Sequence, residues 1–257
     1  MEKYVIMPLL RHSPSFRPPF MPGYGCYFCG DPGYSGAQGI CVRCRSVIMP
    51  LSDRCRICRR LLPRRQDGSP RVMVCRDCLV LPPVFAGVTA VGPYTGLLQW
   101  AVTRFKFHGE MYLARPLAAS LRRRVDGDRV RVDGVTAVPM DRRRLAGRGF
   151  NQAALLAQVL AFALQRPLWS LLRRTAGPPQ VSLGQAARWQ AVEEAFHILK
   201  GRSLDAPRIL LVDDVMTTGA TLRSCARILL QAGAASVWCA VAADAPRHAV
   251  RSYQGTI

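Results

Sequence analysis

The sequence predicts an α/β protein in which a small cysteine-rich region precedes a doubly wound domain with a parallel sheet. Two observations support this prediction. All four Cys-x-x-Cys pairs of the 257-residue chain lie before residue 80. From residue 84 onward, β-rich runs alternate with helical patterns at the spacing of βα units. We therefore expect an N-terminal extension over 1–23, a cysteine-rich region over 24–83 and the α/β domain over 84–257.

The composition excludes two classes of protein and indicates the chemistry of the ligands. Hydrophobic residues make up 49% of the chain, which is enough for a packed core and rules out wholesale disorder. No apolar run approaches the roughly 18 residues of a membrane span, and no cleavage site follows the N-terminus, so we expect a cytoplasmic protein. The net charge of +20 favours phosphates or polyanions as ligands. Only three basic residues are lysines, and such an arginine excess is equally typical of a GC-rich coding bias.

The cysteine-rich region has the ligand spacing of structural metal sites. Eight of the ten cysteines form four pairs: Cys26 and Cys29, Cys41 and Cys44, Cys55 and Cys58, Cys75 and Cys78. Each pair places two thiolates on one tight turn, and two such turns complete a tetrahedral shell for Zn²⁺. A disulfide framework is the alternative and needs an oxidising compartment. We expect two structural zinc ions, held either by consecutive pairs or by alternate pairs in a cross-braced arrangement.

The same region carries a cluster of arginines: Arg54, Arg56, Arg59, Arg60, Arg64 and Arg65. Three aromatic residues nearby, Tyr24, Tyr27 and Phe28, offer faces on which nucleic-acid bases could stack. Together they predict weak binding of single-stranded DNA through its phosphates, without sequence preference. The alternative is a solvated face on a module that packs against the second domain.

The α/β domain begins after Leu81-Pro82-Pro83. Its first five segments have the periodicity of a strand or a helix: strands over 84–91 and 134–138, and helices over 96–107, 111–125 and 151–164. Pro139 ends the second strand, and Asn151 is a candidate N-cap for the third helix. That helix is apolar on nearly all sides, which predicts that it is buried.

The last three segments contain the most informative motif of the chain. They are a strand over 208–212, a helix over 221–231 that ends before Gly233, and a strand over 237–241. The first strand leads into Asp213 and Asp214 and then into a loop of threonines and Gly219. Backbone N–H groups, hydroxyls and a glycine before a helix suit a phosphate, and two adjacent carboxylates suit the hydroxyls of a sugar. The segment predicts a site for a ribose 5-phosphate, whereas an ordinary acidic N-cap would account for only one aspartate.

These motifs resemble a known family. The segment 213–221, Asp-Asp-Val-Met-Thr-Thr-Gly-Ala-Thr, resembles the loop that binds phosphoribosyl pyrophosphate (PRPP) in type I phosphoribosyltransferases. The segments 138–140 and 148–152, with Arg144 between them, are similar to the ComF competence family and its GntX-like relatives. Phe105-Lys106-Phe107-His108-Gly109 and the four cysteine pairs resemble further elements of that family. The resemblance implies a type I phosphoribosyltransferase-like parallel-sheet domain behind a small zinc-ribbon-like domain.

The resemblance also implies roles for individual residues. Asp213 and Asp214 would bind the ribose hydroxyls and act in catalysis together with Arg188, which lies on a loop that matches the family at Gln180 and Leu183. The remaining implied PRPP contacts are Val215, Met216, Thr217, Thr218, Gly219, Ala220, Thr221, Arg144, Arg148 and Lys106. For the three cationic side chains, plain surface charge is the alternative. Ala191 departs from the family, which commonly has Asn at that position.

The resemblance implies PRPP, bound with Mg²⁺, as the ligand and displacement of its diphosphate as the reaction. The acceptor stays open, although Thr217 stands where purine-type relatives carry an acid, which argues against a 6-oxopurine. We expect a ComF-like protein linked to uptake or handling of single-stranded DNA in natural transformation, with a DNA-uptake helicase or channel as partner. One alternative is a phosphoribosyltransferase that acts on a metabolic acceptor and has no DNA role. Another is a zinc-ribbon interaction module with a degenerate enzyme domain, against which the intact aspartate pair argues.

Overall fold

A computed structural model describes residues 25–31, 39–49, 53–62, 74–175, 195–199 and 204–245. These residues contain eight strands: β1 Asp53–Arg54, β2 Leu61–Leu62, β3 Gly87–Pro93, β4 Gly134–Ala137, β5 Leu172–Arg174, β6 Phe196–Ile198, β7 Arg208–Met216 and β8 Ser236–Asp244. They contain seven α-helices: α1 Val42–Ile48, α2 Arg76–Val80, α3 Gly96–Phe107, α4 Ala114–Gly127, α5 Arg142–Arg148, α6 Gln152–Leu164 and α7 Ala220–Gln231.

The predicted α/β class with a parallel sheet is confirmed. Four strands pair in the order β3-β8-β7-β4, and all three pairings are parallel. Alternate residues of β7 enter the cores on the two faces of the sheet. Leu210 and Val212 pack with residues of α3, α4 and α6, whereas Ile209 and Leu211 pack with residues of α7. Because the strands are parallel, their carboxyl ends meet at one edge of the sheet.

Several element boundaries differ from the sequence-based expectation. The helix predicted over 96–107 is observed with those bounds as α3, but β7 continues beyond Val212 to Met216. The aspartate pair therefore lies within the strand and not after it, because β7 stays paired with β8 as far as Met216 and Asp244. The helix over 151–164 is buried on one face only, and Phe162 is 87% exposed. Because nearly all residues of this helix are apolar, the sequence pattern did not indicate that one face is exposed.

The cysteine-rich region packs directly on the α/β domain. Cys26, Cys41, Cys44 and Ile48 share the core that contains Val91 of β3. The four later cysteines share the other core, and the Val88 N–H donates to the Cys58 carbonyl at 2.8 Å. Both halves of the region therefore bury apolar surface against β3, one on each face of the sheet. Among the described residues, no helix combines the length and the apolar character that crossing a membrane requires.

A close approach between α1 and β3 generates a stability prediction. A Cβ at Gly92 would clash with the backbone carbonyl of Ile48, whereas nothing lies within 4 Å of a Cβ at Gly127. We expect Gly92→Ala to lower the free energy of unfolding by about 1–3 kcal/mol, because α1 would have to shift away from the sheet. Gly127→Ala serves as the control and is expected to leave it unchanged or raise it. Thermal unfolding of both variants measures the effect; equal midpoints would contradict the close approach of α1 to β3.

Candidate functional site

The aspartate pair near the end of β7 and the loop after it lie at the carboxyl edge of the sheet. The loop leaves β7 after Met216, and Gly219 adopts a left-handed conformation with φ of 76° before α7 begins. A side chain is strained at that φ, so glycine is the residue that allows this turn. The Ala220 N–H donates to the Thr218 hydroxyl at 3.3 Å. The first turn of α7 thus presents N–H groups and its positive dipole end at this edge.

Asp213 and Asp214 occupy different electrostatic environments. Each carboxylate accepts a backbone N–H from the next residue, from Asp214 at 2.8 Å and from Val215 at 2.6 Å. The Lys106 ammonium lies 3.0 Å from the Asp214 carboxylate and forms an ion pair with it. Burial raises the pKa of Asp213 to about 8, and the charge of Asp214 contributes to that rise. Asp213 therefore resists ionisation, whereas Asp214 has a cationic partner.

Lys106 is fixed in place by the segment 148–152. The buried Gln152 side chain donates to the Lys106 carbonyl at 3.2 Å, which fastens the end of α3 to the start of α6. The Arg148 guanidinium stacks on the Phe107 ring with 4.8 Å to the centroid, and it also donates to Gln152 at 3.4 Å. The structure therefore places the Lys106 side chain beside Asp214, and Arg148 contacts the neighbouring Phe107; their contacts with PRPP stay predictions.

Asn151 fixes the loop that follows β4. Its side-chain carbonyl accepts the N–H groups of Ala153 at 3.0 Å and Ala154 at 3.3 Å, so the predicted N-cap of α6 is confirmed. Its amide nitrogen donates to the Val138 carbonyl at 3.1 Å. The Val138 N–H donates in turn to Val212 at 2.9 Å, directly before the aspartate pair. The loop after β4 and the aspartates therefore lie at the ends of adjacent strands.

Arg144 lies on α5, a helix that the sequence analysis did not predict. All residues of this helix are at least partly exposed, and its N-cap Asp141 accepts the Arg144 N–H at 2.9 Å. The Arg144 guanidinium lies 3.4 Å from the same carboxylate. The structure thus holds Arg144 on a short surface helix after β4, and its contact with a diphosphate stays a prediction.

Arg174 is a cation near the site that sequence reasoning missed. It lies on β5, stacks on the Phe196 ring at 5.1 Å and has a buried Nε without a hydrogen-bond partner among the described residues. Burial lowers the pKa of Arg174, and the neighbouring charge of Arg144 lowers it further. Its charge also acts on Asp213. In the sequence, Arg174 belongs to an Arg-Arg-Thr run directly before the polar loop. The sequence pattern alone did not distinguish this half-buried arginine from an arginine on the surface.

The loop that carries the third predicted catalytic residue, Arg188, lies outside the described residues, as do Gln180, Leu183 and Ala191. Arg188 therefore stays a prediction from the resemblance.

The eight paired cysteines form two groups of four: Cys26, Cys29, Cys41 and Cys44, and Cys55, Cys58, Cys75 and Cys78. The sulfur atoms of each group lie within 4.8 Å of one another, and all are free thiols. Consecutive pairs therefore share a group, and the cross-braced arrangement is wrong. The groups have the composition of closed zinc sites with four thiolate ligands. We call them the first and the second cysteine group.

Backbone hydrogen bonds prepare both cysteine groups for a cation. The Cys41 N–H donates to the Cys26 sulfur, and the Cys75 N–H donates to the Cys55 sulfur, each at 3.3 Å. Burial alone would raise the pKa of Cys26 and Cys55, but such N–H donors lower it to about 7. Burial and the charge of neighbouring sulfurs raise the pKa of Cys58. Four thiolates can coexist in so small a volume only around a cation, and the donor set fits Zn²⁺.

The arginines of the cysteine-rich region do not form one free surface. Arg60 is 5% exposed and bonded to Asp244, and Arg54 is paired with Asp128 at 3.0 Å. Phe28 is buried, so the prediction that it stacks on bases is wrong. Its side chain packs in the core that contains cysteines of the first group. Tyr27 packs on Tyr112 with 5.6 Å between ring centroids. Among the cluster residues that the structure describes, Arg56 is exposed and Arg59 half-buried, while Arg64, Arg65 and Tyr24 lie outside the described ranges.

Comparison with known proteins identifies the family. A model of the phosphoribosyl transferase domain matches residues 149–256. The DNA utilization protein YhgH of Salmonella typhimurium is 32% identical over 225 residues, which cover 83% of this chain and 95% of that protein. The competence protein ComFC of Bacillus subtilis is 30% identical over 211 residues, with coverage of 77% and 81%. This chain belongs to the ComF family. Competence protein F of Haemophilus influenzae, 28% identical over 220 residues, covers 82% of this ComF-family chain and 92% of its own length.

A solved amidotransferase structure gives a weaker match. The glutamine PRPP amidotransferase of Bacillus subtilis, complexed with ADP and GMP, is 24% identical and covers 49% of this ComF-family chain and 25% of its own chain. The TM-score is 0.35, too low to support an argument. The assignment of a phosphoribosyltransferase domain therefore rests on the domain model, the relatives and the parallel sheet.

The two cysteine groups generate a prediction about metal content. We expect freshly purified, reduced protein to contain two zinc ions per chain, because each group offers four thiols at ligand distance. Cys58→Ser should lower the content to one, whereas Cys239→Ser, a buried thiol outside both groups, should leave two. Native mass spectrometry with elemental analysis measures the stoichiometry. Protein without zinc, or with native disulfides among the eight thiols, would contradict the prediction.

Proposed function

We propose that this ComF-family protein binds PRPP with Mg²⁺ at the carboxyl edge of its sheet. The observation that carries the proposal is the order of Asp213 and Asp214 at the end of β7, the left-handed Gly219 and the start of α7. The N–H groups of the helix start and the threonine hydroxyls would hold the 5-phosphate, because both donate hydrogen bonds to an anion. The two carboxylates would accept the ribose hydroxyls, because a carboxylate cannot favourably face a second anion.

Cations near the aspartate pair support a diphosphate on the other side of the ribose. Lys106 lies 3.0 Å from Asp214, and the charge of Arg174 acts on both Asp213 and Asp141, close to Arg144. Without a ligand, Lys106 neutralises Asp214; with PRPP bound, its ammonium would lie between the carboxylate and the diphosphate oxygens. Mg²⁺ would be held chiefly by the oxygens of PRPP, beside the aspartate pair, and would neutralise the charge of the departing diphosphate.

The proposed reaction is transfer of the phosphoribosyl group to a nucleophilic acceptor. The bond from C1 of the ribose to the diphosphate oxygen breaks, the bond from C1 to the acceptor forms, and the proton of the acceptor passes to the departing diphosphate or to water. The contribution of the chain would be to hold the 5-phosphate and the ribose in place and to stabilise the diphosphate with cations. Thr217 is the residue of the loop that would replace the proton-handling acid of purine-type enzymes, so the acceptor class stays open.

A second part of the proposal concerns DNA. We infer that the PRPP site serves the uptake or handling of single-stranded DNA, with a DNA-uptake helicase or channel as a partner. Two observations support this part: the names of the relatives, a DNA utilization protein and two competence proteins, and the net charge of +20. The alternative is phosphoribosyl transfer to a metabolic acceptor without a DNA role.

The aspartate pair tests the PRPP site. We expect Asp213→Asn with Asp214→Asn to lower the affinity for PRPP and Mg²⁺ by at least tenfold, since each lost partner of a buried ribose hydroxyl costs about 1–3 kcal/mol. Asp133→Asn is the matched control, because Asp133 pairs with Arg208 at the opposite end of β7. Calorimetric titration compares the three proteins. Equal affinities for wild type and the double variant would refute the assignment of the ribose site.

The salt dependence of DNA binding tests the second part. An organised track of phosphate contacts gives a slope of about −0.7 per contact when log affinity is plotted against log salt for single strands. We expect Arg43→Gln with Arg56→Gln, both exposed in the cysteine-rich region, to reduce this slope by about 1.4. The control, Arg115→Gln with Arg131→Gln, removes equal charge from exposed positions elsewhere and should leave the slope unchanged. Binding of an oligodeoxythymidine at several salt concentrations provides the measurement; identical slopes for the two variants would indicate scattered charge.

A further inference from the structure

Arg60 connects the second cysteine group to the phosphate loop, which we define as residues 217–221. Arg60 follows Cys58 by two residues and is buried. Its guanidinium donates to the Asp77 carboxylate at 2.6 Å, and Asp77 lies between the ligand positions Cys75 and Cys78. The same guanidinium donates to the Thr217 carbonyl at 2.9 Å. One residue therefore links both cysteine turns of the second group to the first residue of the phosphate loop.

Asp244 completes this arrangement from the end of β8. It is fully buried and accepts the Arg60 guanidinium at 2.7 Å and the Leu61 N–H at 3.0 Å. Asp244 lies opposite Met216 in the sheet, and the next residue, Ala245, donates its N–H to the Met216 carbonyl at 2.8 Å. The ion pair thus lies directly behind the point where β7 turns into the phosphate loop.

The bond to the Thr217 carbonyl constrains the part of the loop that would meet an anion. In a trans peptide the carbonyl and the following N–H point in opposite directions. Arg60 holds the Thr217 carbonyl on the side of the second cysteine group, so the Thr218 N–H points away from that side. A second brace acts on the helix end of the loop, because the Arg223 guanidinium of α7 donates to the Leu81 carbonyl at 2.6 Å.

We infer that Arg60 is a positioning residue for the phosphate loop and that the second cysteine group is its anchor. The inference rests on the proposed function, because the ligand of that loop is taken to be the 5-phosphate of PRPP. An intact second group keeps the Arg60 backbone in place, since the Arg60 carbonyl accepts the Cys55 N–H at 3.0 Å. Loss of metal from this group would release Arg60 and loosen the loop. The first cysteine group packs in the core on the other face of the sheet and has no such link among the described residues.

A lysine could neutralise Asp244 but could not replace the guanidinium. The planar group of Arg60 donates in three directions at once, to Asp77, Asp244 and Thr217. A lysine ammonium at the end of a different stem cannot span those three acceptors. Arg60→Lys therefore keeps a positive charge beside Asp244 but removes the bond that positions the loop.

The experiment compares two Arg60 variants with a matched control. Arg60→Lys keeps a charge beside Asp244, and Arg60→Met with Asp244→Asn removes both charges, so neither leaves a buried charge alone. Arg54→Met is the control. Arg54 lies in the same cysteine-rich region as Arg60, but it pairs with Asp128 of the α/β domain and has no bond to the loop among the described residues. We expect both Arg60 variants to bind PRPP at least tenfold more weakly than wild type and to exchange loop amides at least tenfold faster, with two zinc ions retained. Arg54→Met should match wild type in both measurements.

Two readouts keep this inference separate from the proposed function. Hydrogen exchange of the segment 217–221 reports on the loop without any ligand, and calorimetry with PRPP and Mg²⁺ reports on binding. Wild-type protein that does not bind PRPP would refute the proposed function, while faster loop exchange in the Arg60 variants would still support the positioning role. Arg60 variants with wild-type loop exchange would overturn the inference, whatever their affinity.

The anchor role of the metal has its own comparison. Cys58→Ser and Cys44→Ser each remove one ligand, from the second and the first cysteine group respectively. We expect Cys58→Ser to accelerate exchange of the segment 217–221, and Cys44→Ser to leave it at the wild-type rate, although each variant loses one zinc ion. Equal acceleration in both, or in neither, would overturn the assignment of the second group as the anchor.

Discussion

A buried charge at the end of β8 joins the two parts of this protein. Asp244 is fully buried, and its carboxylate is neutralised by Arg60, a residue 184 positions earlier in the sequence. Leaving such a carboxylate without its partner costs about 3–5 kcal/mol, a large part of the roughly 5–15 kcal/mol that holds a typical domain folded. The α/β domain therefore depends on the cysteine-rich region for the neutralisation of its own core. The cysteine turns have little apolar surface of their own, and the second cysteine group packs in the same core as Val88 of β3.

The same dependence governs the electrostatics of the candidate site. Two adjacent aspartates at a half-buried strand end repel each other, and in the ligand-free protein Lys106 relieves this repulsion by pairing with Asp214. Arg174 has a buried Nε without a hydrogen-bond partner among the described residues. The site thus combines an uncompensated donor with carboxylates that need hydroxyl or cationic partners. The ligand proposed above, a sugar with phosphates on both sides, would satisfy both requirements, whereas a plain anion or a plain cation would satisfy only one.

The sequence predicted those features that depend on local pattern. The helix over 96–107, the N-cap Asn151 and the class of the fold follow from periodicity and residue type, and the structure confirms them. Spacing identified the cysteine pairs but not their grouping, because consecutive and alternate pairings satisfy the same spacing. The role of Arg60 could not be predicted, since its acceptors lie far away in sequence and their proximity depends on the order of strands in the sheet. The assignment of residues to PRPP contacts stays a prediction, because such contacts form only when the ligand is bound.

The abundance of arginine follows in part from the structure and not only from coding bias or DNA. Arg104, Arg148 and Arg174 each stack on an aromatic ring, and Arg60 joins three acceptors. Planar stacking and donation from a rigid planar fork of several nitrogens are properties of a guanidinium that an ammonium lacks. Yet 36 basic residues face only 16 acidic ones, so internal pairing leaves a net positive surface whatever the origin of the arginines. Net charge alone therefore does not identify a DNA site. Binding of a polyanion along the surface requires that exposed arginines lie in a continuous row.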